Sequence, residues 1–231
     1  NMSDGNARKI YLDNSYYHIY NRGVEKRLIF LDLQDYNVFL SYLKEYLLPK
    51  DEKKLNDRFS DPNISYKEKA KILKLLHLNN FAEEITFLAY CLMPNHFHFF
   101  VKQKNALSID KFMNSLGTRY TKYFNAKYKR VGALCQGVYK AVLVNNENQF
   151  IYLTKYIHKQ ALARTSGGGW EARQPSSYPE FLGKRNNEWL HPKEILSFFS
   201  KTNPALSYKS FVEETNELGN MQDITDEDYT C

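Results

Sequence analysis

The sequence contains no long hydrophobic run. Its longest uncharged apolar stretch, ITFLAYCLM at residues 85–93, is nine residues long, whereas a helix needs about 20 apolar residues to span a bilayer. The first residues, NMSDGNARKI, also lack the apolar stretch of a secretory signal peptide. We therefore expect a soluble, cytoplasmic protein without a membrane partner.

Cysteine is scarce as well. The three cysteines, Cys91, Cys135 and Cys231, are odd in number, lie far apart and show no C-x-x-C spacing. This pattern argues against a disulfide framework and against a cysteine zinc site. It fits a protein that works in a reducing compartment.

Basic residues are missing from one end of the chain. Residues 211–231 hold seven acidic residues and no lysine or arginine, so residues 1–210 carry 32 basic against 19 acidic residues, a net charge of +13. A basic body in a chain with 18 tyrosines is typical of a nucleic-acid binder whose rings stack on unpaired bases. A solvated lysine-rich surface is the alternative. We expect the acidic tail either to compete with nucleic acid for the basic body or to be a solvated end.

Apolar periodicity and turn residues predict a simple order of elements. The 231 residues allow one large domain, or a smaller one with an appendage. The predicted elements are a strand at 16–23, a helix at 33–48 capped by Asp32, strands at 84–93 and 96–103 joined by a Pro-Asn turn, a helix capped by Ser108, a strand at 138–144, and a helix at 147–164 preceded by Asn146.

This order is the split βαβ, or ferredoxin-like, α+β arrangement. We expect an antiparallel sheet with helices on one face and an open second face. Residues 50–83 are charged and polar, contain a short helix at 66–78, and look like an insertion. We assign residues 1–165 to this domain. Residues 166–231 form a C-terminal helical appendage that follows the flexible TSGGGW stretch, contains a helix near 192–200 and ends in the acidic tail.

The stretch LMPNHFHFFVK places two histidines one residue apart in a predicted strand. Because side chains alternate along a strand, His96 and His98 share one face while Phe97, Phe99 and Val101 fill the other. Two imidazoles at that spacing can bind one divalent ion, at nitrogen distances of roughly 2.0 to 2.2 Å. The alternative is a half-buried strand with two hydrogen-bonded histidines. Chemistry therefore requires a third ligand and a reactive partner.

Tyr156 and Gln160 lie four residues apart in the predicted helix at 147–164, and therefore on one helical face. A tyrosine hydroxyl near a metal-bound phosphate can act as a nucleophile, and an amide oxygen one turn away can complete a metal shell begun by two histidines. A packing role is the alternative in a chain so rich in tyrosine. Tyr152, one turn earlier on the same face, is the competing candidate.

Several segments occur in a characteristic order: YHIYNRG with IFLDLQDYNVFL, then YCLMPNHFHFFV, GALCQGVYKAVLV, YLTKYIHKQALAR and PSSYPEFLG. Together they resemble the HUH single-tyrosine transposases of insertion sequences, and more closely their REP-associated tyrosine transposase branch. The resemblance covers about residues 16–183 without the insertion. Its specific part is MPNHFHFFV followed by YIHKQ, since either motif alone is weak.

The resemblance assigns roles to four residues and shows two departures. REP-associated members usually carry Asn-Pro where this chain has Gln160 and Ala161. The amide side chain that the resemblance assigns as a metal ligand is therefore one methylene longer than asparagine. The strand residues Phe97 and Phe100 are bulkier than the usual aliphatic residues, and both departures bear on metal placement. The implied site residues are His96, His98 and Gln160 as metal ligands and Tyr156 as the nucleophile.

The implied function is that of a transposase, a metal-dependent endonuclease and strand transferase that acts on single-stranded or hairpin DNA through a 5′-phosphotyrosine. The implied cofactor is Mg²⁺ or Mn²⁺, because an amide oxygen and water ligands favour a hard ion over Zn²⁺. We expect the protein to associate with the nucleoid when it binds DNA, and both a monomer and a homodimer fit. The residues expected to contact DNA are Arg22, Arg119, Lys122, Lys140 and Lys155.

Two other functions stay open. One is a domesticated protein that binds hairpin or single-stranded DNA and no longer cleaves it, although the four site residues are intact in the sequence. The other is an RNA-binding sheet of the RRM type, which shares the split βαβ order. Such a sheet needs a K/R-G-F/Y-G/A-F-V-x-F/Y run, and the sequence contains no such run.

Overall fold

The computed structural model of the protein describes residues 10–164, 166 and 170–214. The strands in these ranges are β1 (Ser15–Arg22), β2 (Ile85–Met93), β3 (His96–Gln103), β4 (Lys140–Val144), β5 (Leu162–Arg164) and β6 (Trp170–Ala172). The helices are α1 (Leu33–Leu47), α2 (Glu52–Ser60), α3 (Tyr66–Leu76), α4 (Ser108–Lys127), α5 (Glu147–Ala161), α6 (Tyr178–Phe181), α7 (Lys193–Leu196) and α8 (Pro204–Glu213).

Strands β1 to β4 form one sheet in the order β2-β3-β1-β4. All three pairings are antiparallel. This is the strand order of the split βαβ arrangement, so the predicted α+β fold class is confirmed. The two inner strands are β3 and β1, which places the histidine strand and the first strand of the chain side by side.

The two helices that begin at predicted side-chain caps do so for the expected reason. Asp32 Oδ1 accepts a hydrogen bond from the backbone N–H of Asp35 at 3.0 Å, ahead of α1. Asn146 Oδ1 accepts one from the backbone N–H of Gln149 at 2.8 Å, ahead of α5. Each oxygen satisfies a backbone donor that has no partner within its own helix.

The predicted cap of α4 was wrong. Ser108 is the first residue of that helix, and its Oγ donates a hydrogen bond to Glu84 at 2.8 Å instead of accepting one from the helix. The first turn of α4 is instead capped by the buried Gln103, whose Oε1 accepts a hydrogen bond from the backbone N–H of Ile109 at 3.2 Å. The side chain of Gln103, six residues before Ile109, therefore takes the place of the predicted cap.

Helices α1 and α4 cover one face of the sheet, which we call the aromatic face. Their apolar stripes follow the predicted helical spacing and meet the strand residues that alternate toward them. The buried members from the sheet are Tyr17, Ile19, Phe87, Tyr90, Phe97, Phe99 and Val101, and those from the helices are Phe39, Leu43, Phe112, Leu116, Tyr120 and Phe124.

The second face of the sheet is covered, so the expectation of an open face was wrong. Helix α5 lies on this face, and the C-terminal segment packs against α5 in turn. The buried residues that join these layers are Leu88, Ala89, Cys91, Phe100 and Val144 from the sheet, Phe150, Leu153, Tyr156 and Ile157 from α5, and Tyr178, Phe181, Tyr208 and Val212 from beyond it. The sequence order alone does not reveal this second layer.

Three segments differ from the predicted boundaries or fall outside the described ranges. Helix α5 ends at Ala161 and not at residue 164, because β5 pairs with β6. The predicted insertion at 50–83 holds two helices, α2 and α3, of which only α3 was expected. Most of the TSGGGW stretch and residues 215–231 of the acidic tail lie outside the described residues. Among the described helices, none has the length and apolar character that a membrane crossing requires.

Candidate functional site

The histidine pair lies on the face of the sheet beneath α5, which we call the histidine face. His96 is 3% exposed and His98 is fully buried, while Phe97 and Phe99 between and beyond them point into the aromatic face. The strict alternation of β3 produces this division. The structure therefore has both imidazoles on one side of the strand, as the spacing predicts.

His96 is held by its sequence neighbour. Its Nδ1 lies 2.6 Å from Oδ1 of Asn95, which can only accept through that oxygen, so Nδ1 carries the hydrogen and Nε2 carries the lone pair. Burial, and next the positive charge of Arg22, lowers the pKa of His96 to about 4. The imidazole is therefore neutral at pH 7, which is the form that binds a metal ion.

His98 is held by a histidine from another strand. Its Nδ1 lies 3.0 Å from Nε2 of His18, a residue of β1 that is also fully buried. Its Nε2 is buried and forms no hydrogen bond with the part of the chain that the structure describes. Burial, and next the nearby His18 and His96, lowers the pKa of His98 well below its ordinary value. His98 is therefore also neutral at pH 7.

Tyr156 reaches this cluster from α5. Its ring meets the ring of His98 edge to face, with centroids 5.3 Å apart and an interplanar angle of 84°. It meets His18 in the same way at 5.9 Å and 79°. The side chain is 3% exposed, and the neighbouring Leu153 and Ile157 are fully buried in the same layer. The predicted nucleophile and the histidine pair are therefore in one place.

The competing tyrosine lies elsewhere. Tyr152 is half-buried, and its ring packs on Phe211 of α8, with centroids 5.3 Å apart. Its neighbours are thus in the C-terminal layer. The geometry favours Tyr156 over Tyr152 as the tyrosine that belongs to the histidine cluster.

Gln160 lies one turn beyond Tyr156, in the last turn of α5, and is half-buried. In the described ranges, no group of three or more His, Cys, Asp and Glu side chains is arranged to hold a metal ion. A metal donor set here would therefore consist of the two imidazoles and an amide oxygen. The buried Nε2 of His98, without a hydrogen bond from any described residue, fits such a role.

His18 was missed in the sequence. It stands in YYHIYNRG, on the face of β1 opposite to the buried Tyr17 and Ile19. The signal was available, because the split βαβ order places β1 next to β3, and strand alternation then sends His18 to the histidine side. The family resemblance includes the YHIYNRG segment but assigns no role to His18, so only the strand pairing points to it.

The basic residues expected to contact DNA are spread over the molecule. Arg22 is half-buried, pairs across the sheet with His96, and donates from Nε to Oε1 of Gln136 at 2.8 Å. It lies at the rim of the histidine cluster. Lys140 is half-buried at the start of the edge strand β4, in register with Tyr20 of β1.

Two more of the residues expected to contact DNA, Arg119 and Lys122, lie on α4, on the opposite side of the sheet from the histidines. Arg119 forms an ion pair with Glu45 at 2.5 Å and stacks its guanidinium 3.7 Å from the ring centre of Tyr42. Lys122 is exposed. These two residues therefore do not line the site beneath α5.

Lys155 requires a correction. Its side chain is 1% exposed, and its Nζ lies 4.7 Å from the ring centre of Phe211. Burial lowers its pKa. In this structure Lys155 packs against α8 and does not present its charge to DNA. Its sequence position gave no hint of this contact because α8 was not predicted.

A fourth buried histidine ties α5 to the C-terminal segment. His158 Nδ1 lies 2.6 Å from the hydroxyl of Tyr208, and its Nε2 lies 2.7 Å from Oγ of Ser177. Burial lowers its pKa to about 3. Both ring nitrogens of His158 are occupied by these hydrogen bonds. His158 therefore has a structural role and does not belong to the cluster around His98.

The sequence of the chain is similar to a known protein family over the region that carries these residues. Residues 62–160 match a family profile described as Transposase IS200 like. The resemblance to the IS200-like transposase family is confirmed. The matched region contains the histidine pair and Tyr156 and ends at Gln160. It begins after β1 and so does not include His18.

The fold is also similar to that of a solved structure, a REP-associated tyrosine transposase bound to a REP hairpin. The TM-score is 0.50 and the sequence identity is 10%, over 97% of this chain and 98% of that chain. At this identity the likeness is one of fold. No curated protein sequence matches the chain.

Proposed function

We propose that the protein is a metal-dependent endonuclease and strand transferase that acts on single-stranded or hairpin DNA through a 5′-phosphotyrosine. The observation that carries this proposal is the contact between the Tyr156 ring and the His98 ring, next to His96 on the same strand face. A nucleophile and two neutral imidazoles share one buried cluster. The IS200-like profile match over the same residues supports the proposal.

The chain's own residues have distinct parts in this reaction. His96 and His98, with Gln160 as a third ligand, would hold Mg²⁺ or Mn²⁺. When bound, the ion supplies Lewis-acid polarisation of the scissile phosphate and assists ionisation of a phenol, whose ordinary pKa is about 10. Arg22, at the rim of the cluster, is suited to a phosphate contact.

The chemical step is a transesterification. The Tyr156 phenol loses its proton to solvent and its oxygen forms a bond to phosphorus. The bond from phosphorus to the 3′ oxygen breaks, and that oxygen takes up a proton. The product is a 5′-phosphotyrosine and a free 3′-hydroxyl. Because the ester bond conserves the energy, a second 3′-hydroxyl can reverse the step and join strands without a nucleotide cofactor.

Burial of the cluster has a consequence for access. Tyr156 is 3% exposed and His98 is fully buried, so a phosphate reaches them only after neighbouring side chains move. The same burial favours a second candidate function, a hairpin or single-stranded DNA-binding protein that does not cleave. The two candidates differ in whether DNA becomes covalently attached.

The RRM-type alternative loses support. An RNA-binding sheet of that type presents exposed aromatic side chains on its strands. Here α1 and α4 cover one face of the sheet and α5 covers the other, and Tyr17, Phe97 and Phe99 are buried. No open aromatic sheet face occurs in the described part of the chain.

A covalent-adduct assay tests the proposal. The full chain is incubated with a DNA hairpin that carries single-stranded flanks, with Mn²⁺ or with a chelator, and run on a denaturing gel. We expect a protein–DNA band with Mn²⁺, its loss in Tyr156→Phe, and its retention in the matched control Tyr152→Phe. An active Tyr156→Phe with an inactive Tyr152→Phe would move the nucleophile by one turn. Tight binding without a band in any variant would favour the non-cleaving function.

A further inference from the structure

His18 is the least explained member of the buried cluster. It comes from β1, outside the region that matches the IS200-like profile, and it is fully buried. Its ring stacks on that of His98 at an interplanar angle of 21° and a centroid distance of 5.2 Å. Its position calls for a function because a buried imidazole needs hydrogen-bond partners that offset its burial.

The contact between the two histidines constrains their hydrogens. His18 Nε2 and His98 Nδ1 are 3.0 Å apart, and a hydrogen bond between two ring nitrogens requires one hydrogen between them. If His18 donated it, the hydrogen of neutral His98 would sit on Nε2. That N–H would then be a buried donor without an acceptor among the described residues.

The opposite arrangement leaves no such donor on His98. If His98 Nδ1–H donates to His18 Nε2, the Nε2 atom of His98 carries a lone pair in a buried position. This is the tautomer that a metal ligand requires. In metal sites, the second ring nitrogen of a histidine ligand usually donates to a nearby acceptor that fixes the ring orientation. Here that acceptor would be an imidazole.

His18 also contacts the helix that carries the nucleophile. Its ring meets that of Tyr156 edge to face at 5.9 Å. One side chain thus touches both the strand that bears the histidine pair and α5. His96 differs in that its Nδ1 atom lies beside Oδ1 of Asn95, its neighbour in the sequence.

We propose that His18 is a positioning residue that holds His98 in the Nδ1–H tautomer and presents its Nε2 atom to the metal ion. This inference rests on the proposed function, since it assumes that His98 is a metal ligand. His18 acts through His98 and does not contact the metal or the DNA.

Two substitutions separate the hydrogen bond from the volume of the ring. His18→Phe keeps an aromatic ring against His98 and Tyr156 but has no acceptor. His18→Gln can place its amide oxygen close to the position of Nε2 and so restore the acceptor. His158→Gln is the matched control, because His158 is equally buried but bonds to Tyr208 and Ser177.

The readout is Mn²⁺ affinity of the full chain without DNA, measured by titration calorimetry, with circular dichroism to check folding. We expect His18→Phe to weaken Mn²⁺ binding about 10- to 100-fold, as loss of such partners typically does. His18→Gln and His158→Gln should stay within a few-fold of the unmodified protein. A folded His18→Phe with unchanged affinity would overturn the proposal.

Two further measurements keep the outcomes distinct. His98→Ala tests the metal site itself, and unchanged Mn²⁺ affinity in that variant would refute the proposed function whatever His18 does. Long-range proton–nitrogen NMR on the unmodified protein reads the tautomer of His98 directly, which covers the case in which His18→Phe does not fold. A hydrogen on Nδ1 supports the proposal, and a hydrogen on Nε2 contradicts it.

Discussion

The aromatic face and the histidine face of the sheet bury their centres to a similar extent but with different chemistry. The side chains buried under α1 and α4 are aromatic and aliphatic. A charged group near that face, Asp35, accepts hydrogen bonds from Lys127, Tyr123, Tyr128 and the backbone of Leu31. Burial raises the pKa of Asp35, but these donors together lower it below its ordinary value.

The histidine face buries polar groups of a different kind. Three imidazoles and a tyrosine ring lie together beneath α5, and His98 Nε2 forms no hydrogen bond with the described residues. A face built only for stability would hold apolar side chains here, because buried polar groups contribute less than apolar groups of the same shape. The contrast fits the proposal that the aromatic face serves stability and the histidine face serves chemistry.

The largest expected effect is the loss of cleavage from the histidine face. The double substitution of His96 and His98 by Ala should abolish Mn²⁺-stimulated nicking of single-stranded DNA, because both imidazole ligands are removed. The measurement is a nicking assay on a labelled hairpin with single-stranded flanks. Phe97→Leu, on the aromatic side of the same strand, is the control and should retain activity. Mn²⁺-stimulated nicking by the double variant would contradict the metal-site assignment.

A large effect on stability is expected from the other face. Phe99 is fully buried between α1 and the sheet, so Phe99→Ala should lower the free energy of unfolding by about 3–5 kcal/mol. Urea denaturation followed by circular dichroism measures it. His96→Ala, at the end of the same strand, serves as the comparison and should cost less. A larger loss of unfolding free energy in His96→Ala than in Phe99→Ala would contradict the assignment of stability to the aromatic face.

Acid should destabilise the histidine layer selectively. Burial lowers the pKa of His158 to about 3, so the unfolded chain binds a proton that the folded chain does not between about pH 6.5 and pH 3. The contribution of His158 to the free energy of unfolding is therefore fully present above pH 6.5 and decreases as the pH falls from 6.5 to 3. At about 1.4 kcal/mol per pH unit, His158→Gln should reduce the stability difference between pH 6.5 and pH 5 by about 2 kcal/mol. Equal pH slopes in both proteins, from urea unfolding, would refute this.

The smallest expected effects concern single basic residues in DNA binding. Arg22→Gln, beside the histidine cluster, should reduce the slope of log affinity against log salt by about 1 for single-stranded DNA. Lys122→Gln on the aromatic side and Lys155→Met in the core should leave the slope unchanged. Fluorescence anisotropy at several salt concentrations measures all three. A weaker slope in Lys122→Gln would mean that DNA also contacts α4.

Much of the fold was accessible from the sequence. Period-two alternation set the faces of β3, helical periodicity set α1 and α4, and the caps Asp32 and Asn146 marked two helix starts. The spacing of Tyr156 and Gln160 places both on one face of a helix, and the family resemblance then predicted that this helix meets the histidine strand. These features are local, so a single sequence can carry them.

The remaining features depend on contacts between distant segments. The layer that packs against α5 on the second face includes α6 to α8, which are short helices. The burial of Lys155 follows from the position of Phe211 in that same layer. His18 joins the cluster only through the pairing of β1 with β3. In each case the cause is a contact between distant segments, and for His18 the predicted strand order, not a local motif, was the available signal.

The most direct test of the central claim is to map the residue that becomes attached to DNA. The full chain is incubated with Mn²⁺ and a hairpin that carries single-stranded flanks, digested with nuclease and protease, and its peptides are analysed by mass spectrometry. A nucleotide on Tyr156, present with Mn²⁺ and absent with chelator, is the predicted result. DNA binding under the same conditions without any nucleotide-bearing tyrosine would contradict the account and indicate a binding protein.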